Sequence, residues 1–448
     1  MTKDSRPSPP IDLSEMDRLW SRSAERLVWR RIWAAIGRQR LRAAGAGSEA
    51  LLELARRQNK LGPELGPAAG MADELKALRE ECPGCRGALD FTLSPSAFAA
   101  TALAMRQRAA LGMLLGDLRD LLLAMCDVIE RSAEMAVPDP QEDGRIGFTS
   151  FGALIARTAE LGIDQYDRLV LLRARLRGVE LGLPPDSSPS HDDQGADTVL
   201  DEAALAAELD LAPEPADLFV AHTRSGEFLY ELALTGAALS RLASQLQTLT
   251  SIWPGVLSDP HPWPRLPISR FWDEVPTLAS QFDLQLQMLR TSADRAILQL
   301  NHAASPGSDI MRDACLALDW MIRKTHTWLP RVSIEPATQS AWAEAFGPFA
   351  GVDLVGEALV SEGAPPDLVE SILRKHSLAS YDAVRQGKPN PLAGLLSSDV
   401  YLLEHLQPAT LRRLLDPTTR LKVEARRALA TSSRVRRRLT PAIGQDRT

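Results

Sequence analysis

From Pro95 to about Met135 the chain contains no internal proline, and its apolar residues return every three or four positions: Leu103, Met105, Leu111, Leu114, Leu115, Leu118, Leu121, Leu122, Met125, Val128 and Ile129. This period lines one side of an α-helix. Roughly 40 residues make a helix of about 60 Å at the helical rise of about 1.5 Å per residue. A helix of that length belongs in an extended bundle or an oligomer core, because a small globule cannot cover it. It does not read as a membrane span, since Asp117, Arg119 and Asp120 interrupt the apolar run well before the ~18 residues that a bilayer requires.

The same period recurs along the chain. Helices are predicted over about 16–44, 48–60, 72–81, 150–181, 200–209, 214–252, 267–303 and 308–328, then in shorter pieces over 338–346, 350–362, 366–385 and onward to 429. Ser14 and Glu15 stand where a cap and an acidic first turn belong, with Gly45 and Gly47 at the far end of that helix. Residues 184–197 and the proline-rich 253–267 read as loops. No long stretch alternates polar and apolar residues, and a hydrophobic content of 45% with only 5% aromatics, visibly rich in Ala and Leu, favours packed helices. The expected fold is all-α, in three helical domains: residues 1–92, a central long-helix bundle over 93–335, and short helices over 336–430, followed by a basic tail at 431–448.

Charge and cysteine usage exclude several classes. With 51 Lys and Arg against 58 Asp and Glu, the formal charge is −7, so no global field draws the protein to nucleic acid or an anionic membrane. Arg434, Arg436, Arg437 and Arg438 form a local basic run, read as a solvated tail. The polar, proline-rich opening MTKDSRPSPP is neither a secretory signal nor a transit helix. Four cysteines do not make a disulfide framework, so a reducing cytoplasm is expected. Cys82 and Cys85 have CxxC spacing but lie outside a βαβ setting, and are read as a reduced pair at a helix end.

Familiar chemistry is sparse. The seven histidines show no HxxH, HxH or HExxH spacing, so no metal site is expected. Phosphate-cradling loops of the GxxxxGK[ST] or GxGxxG kind are missing, and no cofactor is implied. Ser, His and Asp occur together only in PDSSPSHDD (185–193), too polar a loop to preorganise a triad. His261 with Trp253, Trp263 and Trp272 forms an aromatic cluster that could plug a cavity or clamp a flat apolar ligand, the packing role being the commoner.

Several strings in collinear order resemble the aspartase/fumarase superfamily, in its adenylosuccinate lyase and 3-carboxymuconate cycloisomerase branch. They are the first helix SEMDRLWSRSAERLVWRRIWAAIGRQRLRAAG, the segment AHTRSGEFLYELALTGAALSRLASQLQTL (221–249), TSADR (291–295), and GVDLVGEALVSEGAPPDLVESILRKH with LLSSDVYLLEHLQPATLRRLLDP between 351 and 416. Residues 144–156, GRIGFTSFGALIA, resemble the family's GFTHxQPAQP motif. The resemblance implies a three-domain helical fold, a homotetramer with active sites where three subunits meet, and elimination beside a carboxylate.

The chemical positions of that pattern carry other residues. Gly147, Phe148, Thr149 and Phe151 fit, but Ser150 stands at the histidine position and Gly152 at the glutamine position. The family's TSxDxxDT becomes SPSAFAAT (94–101), with Ala97 and Ala100 for both acids and Pro95 for the serine. Its HD pair falls on Ala72 and Asp73, and its Arg-Tyr dipeptide has no counterpart in PPIDLSEM, which argues against an AMP-containing substrate. The base loop SSxMPxKxNP aligns with LPISRFWDEVP (266–276): Ser269 matches a serine, Trp272 replaces Pro, Glu274 falls on Lys and Pro276 on Asn. Aligning on the last proline moves Asp273 onto the Lys instead. A carboxylate there would repel a dicarboxylate substrate.

Two functional expectations follow. One is a diverged lyase-superfamily protein without the standard fumarate-releasing β-elimination, acting as a pseudoenzyme or scaffold. The other is a repurposed lyase or cycloisomerase-like enzyme acting on a less anionic substrate, as in specialised metabolism, with a small molecule in the inter-subunit cleft. By the resemblance, its catalytic candidates are Ser269, His222 and Ser150, and its substrate-binding candidates Thr101, Thr149, Arg224, Ser292 and Arg295.

Overall fold

The computed structural model describes residues 14–61, 70–90, 95–140, 146–176, 201–211, 218–252, 257–258, 270–300, 308–334 and 336–440. Among them the chain is all-α, with two short antiparallel strand pairs. The N-terminal helices are α1 (Glu15–Leu19), α2 (Arg22–Ala43), α3 (Ser48–Arg57) and α4 (Met71–Glu81). The middle of the chain holds α5 (Pro95–Arg131), strands β1 (Ala136–Pro140) and β2 (Ile146–Ser150), α6 (Phe151–Arg175), α7 (Glu202–Glu208), α8 (Leu218–Ile252), β3 (Leu257–Ser258), α9 (Arg270–Leu300), α10 (Ser308–Trp328) and β4 (Ser333–Ile334). Short helices follow: α11 (Pro336–Phe346), α12 (Val352–Ser361), α13 (Pro366–Arg385), α14 (Leu392–Leu396), α15 (Val400–His405) and α16 (Pro408–Leu415), before a long last helix, α17 (Pro417–Leu439).

The helices begin and end for local reasons. Ser14 caps α1, its hydroxyl accepting from Asp17 N at 3.1 Å. The helix expected to run unbroken to Ala44 instead restarts at Ser21, whose hydroxyl accepts from Ala24 N at 3.2 Å and so caps α2. A serine seven residues past the first cap offers the amides a second N-terminus, which outweighs the continuous apolar period. The long central run is a single helix of 37 residues, α5. It stops at Arg131, before Pro138 and Pro140, which sit in β1 opposite Phe148 and Ile146. In a two-stranded pairing each strand has an open edge, where a residue lacking N–H is tolerated.

The chain forms two compact units. The first comprises Met1–Asp117, Gln165–Gly236 and Gln285–Trp320. Its core gathers Trp29, Trp33 and Ile36 of α2, Leu54 of α3, Leu78 of α4, Phe98 of α5 and Leu205 of α7, with Trp33 stacked on Phe98 at 5.2 Å between ring centroids. Arg30 is fully buried there, yet its charge is met by Glu74 and by Glu81 at 2.9 Å, and Lys60 O accepts at 2.8 Å. A buried cation so paired ties α2 to α4.

Within this unit the structure corrects one sequence expectation. Cys82 and Cys85 form a disulfide rather than a reduced pair. The 3-10 turn Pro83–Cys85 brings their Cα atoms to 5.3 Å, inside the range a disulfide spans.

The second unit comprises Leu118–Asp164, Ala237–Leu284 and Met321–Thr448. It holds the β1–β2 hairpin and a C-terminal core of Val355, Leu359, Leu373, Leu396, Leu402 and Leu411 from α12 to α16. The basic run expected as a solvated tail is another correction: Arg434, Arg436, Arg437 and Arg438 lie in the last turns of α17. Arg434 pairs with Glu160 at 2.5 Å, and Arg436 with Glu130 at 2.8 Å and Asp127 at 2.5 Å. Ala425, Ala428, Ser432, Val435 and Leu439 are buried at helical spacing, and that stripe makes the segment a docked helix rather than a free tail.

Candidate functional site

Candidate residues occur in both units; in the second unit they lie on the β1–β2 hairpin. Thr149 and Ser150 end β2, and both are buried. Ser150 stands directly before α6, and its hydroxyl accepts from Ala153 N at 3.0 Å, an N-cap bond. Phe151 N donates to Met135 O at 2.8 Å and Gly152 N to Ser132 O at 3.0 Å. The first three amides of α6 are therefore occupied by the protein itself. A helix N-terminus binds anions through such amides, so this one has little left to offer a carboxylate.

Gly152 has an equally local reason. A Cβ added there would meet Ala133 Cα and Ile129 O, both at 2.8 Å. The start of α6 passes so close to the end of α5 that only glycine fits, and a glutamine at this position has no room. Thr149 is engaged as well: Arg157 Nη2 donates to its Oγ1 at 3.5 Å and to Asp139 Oδ2 at 3.2 Å. Arg157 was not singled out from the sequence. It lies eight residues after Thr149, and only the turn from strand to helix brings the two together.

In the other unit, Thr101 is buried on α5 and its hydroxyl donates to Ala97 O at 3.0 Å. Ala97 and Ala100, at the two acid positions of the lyase pattern, belong to the apolar cluster of Trp29, Trp33 and Phe98. An ionised carboxylate in such surroundings would have to shed its water.

His222 lies in the second turn of α8 and is buried. Burial pushes its imidazole below the usual histidine range, which favours the neutral ring at neutral pH. Ser225, three residues on, is buried on the same face. Gln107 of α5 donates to Ser225 Oγ at 3.2 Å and approaches Met311 Sδ of α10 at 3.6 Å. This polar tie among three long helices was missed by sequence reading; the i, i+3 relation of His222 and Ser225 was the signal available. Arg224 is half-buried and Thr223 exposed. On α9, Ser292 is buried and Arg295 exposed.

Nearby, Arg106 is buried over the Trp20 ring, 4.5 Å from its centroid, with Glu25 at 3.4 Å. Loss of solvent lowers its pKa despite Glu25.

Ser269 lies outside the described residues, as do Trp253, His261 and Trp263. Of the stretch aligned with the family's base loop, Arg270 to Pro276 forms the first turns of α9. Thr101, His222, Arg224, Ser292 and Arg295 thus belong to one unit, Thr149 and Ser150 to the other. Among the described residues no group of three or more His, Cys, Asp or Glu could hold a metal ion, and no helix is long and apolar enough to cross a membrane.

No protein-family model and no curated protein matches the chain in sequence. Solved structures do match in shape. The 3-carboxy-cis,cis-muconate lactonizing enzyme from Pseudomonas putida superposes with a TM-score of 0.75 at 18% identity, over 94% of this chain and 97% of that one. A fumarate lyase from Mesorhizobium sp. BNC1 gives 0.75 at 15% identity, over 94% and 96%. An EDDS lyase in complex with formate gives 0.67 at 15% identity, over 95% and 91%.

The chain has the aspartase/fumarase fold.

Within that fold, the start of α5 is packed with apolar side chains and the first amides of α6 are taken by the protein's own acceptors. Aspartase/fumarase architecture is retained around side chains that pack and cap.

Proposed function

We propose that this is a diverged member of the lyase superfamily that lacks the standard fumarate-releasing elimination and acts as a non-catalytic scaffold. The observation that carries this reading is the N-terminus of α6. Ser150 stands at the histidine position, where its hydroxyl caps the helix, while Ser132 O and Met135 O accept the next two amides. A serine hydroxyl held in a cap bond lacks the near-neutral pKa by which an imidazole serves as general acid or base. The scaffold assembles as a homotetramer, and its three-part division at about residues 92 and 335 follows the lyase layout. Exposed apolar side chains on the long helices, among them Leu171, Leu284 and Leu298, support self-association.

The test is turnover. Purified protein is incubated with argininosuccinate, adenylosuccinate, aspartate, malate and carboxymuconolactone, and released fumarate or the ring-opened acid is measured. We expect none above buffer. Fumarate release from any of them overturns the proposal.

A second reading rests on His222. A buried, neutral imidazole one turn from Ser225 is a usable proton acceptor, and with Arg224, Ser269, Ser292 and Arg295 it could serve a repurposed enzyme acting on a less anionic substrate. Under this reading His222→Ala and Arg295→Ala abolish turnover of a substrate found by thermal-shift screening and leave the tetramer intact. Unchanged turnover removes those roles.

A further inference from the structure

The last helix does more than close the chain. α17 packs directly against β2, the strand that carries Thr149 and Ser150. Its inner stripe is made largely of small side chains, Ala425, Ala428 and Ser432, before Val435 and Leu439. Small side chains bury little apolar surface, so this part of the contact holds weakly for its length. Arg434 reaches Glu160, and Arg436 reaches Glu130 and Asp127. Ser432 Oγ adds a bond to Glu130 Oε1 at 2.6 Å. The side chains of Arg434 and Arg436 remain 52% and 36% exposed, so another anion can reach them from solvent while they are engaged.

The outer face of the same helix is strongly cationic. Lys422, Arg426, Arg427, Arg437 and Arg438 are all exposed, and the acidic residue of the helix is Glu424. We propose that α17 is a strap held over β2 by Arg434 and Arg436, and that an acidic polypeptide segment binding its outer face draws these arginines from their carboxylates and uncovers Thr149 and Ser150. A carboxylate-bearing partner is favoured because the two arginines already grip three carboxylates of this chain, which a carboxylate of a partner can replace like for like in the arginine fork. The proposal goes beyond the scaffold reading and does not require it, since a strap over the hairpin could regulate either a scaffold or an enzyme.

The test uses the full-length protein and amide hydrogen exchange over residues 146–153, with and without poly-glutamate, at matched ionic strength. Poly-glutamate is expected to bind and to raise exchange in that segment several-fold while leaving the middle of α5 unchanged. Arg434→Gln/Arg436→Gln should show the fast exchange without ligand. Glu130→Gln/Glu160→Gln, which weakens the same latch from the other side, gives an independent version should the first variant fail to fold. Binding with unchanged exchange, absence of binding, or opening by single-stranded DNA but not by poly-glutamate would each overturn the strap.

Discussion

The start of α5 and the start of α6 both depart from the lyase pattern, but different forces hold the replacements. At α5, Ala97 and Ala100 are held by apolar packing against Trp29, Trp33 and Phe98. At α6, Ser150 and Gly152 are held by hydrogen bonds and by the close passage of two backbones. The first region tolerates no charge, while the second tolerates no bulk. At both places the side chains pack or cap, which ties them to the stability of the fold.

Restoring an acid at α5 should have the largest effect. Ala97→Asp places a carboxylate in an apolar cluster without a designed partner, and we expect destabilisation of about 3–5 kcal/mol at neutral pH. Burial raises the folded-state pKa above the unfolded value of about 3.9. The ionisation part of the penalty is therefore absent below the unfolded pKa and grows as pH rises through it, on top of the pH-independent cost of burying the neutral acid. Urea unfolding at several pH values measures this. A change of less than about 1 kcal/mol at neutral pH would show room or a partner that the packing does not reveal.

Gly152→Gln should come next, because any Cβ must displace the backbone of Ala133 and Ile129. Overpacking against backbone is expected to destabilise by about 3 kcal/mol, with no dependence on pH. This contrast in pH response distinguishes the two regions more sharply than the magnitudes do. Ser150→Ala is milder, about 1 kcal/mol for a lost cap. Ser150→Asp should retain the cap, and an equal loss in both variants would mean that the hydroxyl matters for something other than Ala153 N.

The helical frame was legible because its signals are local and repeated. The apolar period of α5 survives 37 residues, and α10 and α13 occupy the predicted ranges 308–328 and 366–385. The hairpin was not legible. Its strands are five residues each, the first carries prolines that also read as helix stops, and their pairing is a tertiary event. The departures at 97, 100, 150 and 152 are visible against the family pattern, but their physical purpose is not. Nothing in the string SFG announces that its serine caps a helix, or that its glycine lies against the end of another.

The smallest effect concerns His222, which is buried as Ala97 is but carries a ring that titrates. It is a titratable group retained on the buried face of α8, and burial places its folded-state pKa below the ordinary value. The unfolded chain then binds the proton more readily, so stability is unaffected above about 6.5, the ordinary histidine value, and declines as pH falls from there toward the folded pKa. His222→Gln keeps a polar side chain and removes the titration. Denaturant titrations between pH 5 and 8 should therefore show a shallower acid decline in the variant, with the curves converging in slope at the alkaline end. Identical slopes throughout would mean that the imidazole is solvated in the folded protein. It would then be an ordinary surface base, and the reading of this face of α8 as a place for proton transfer would lose its support.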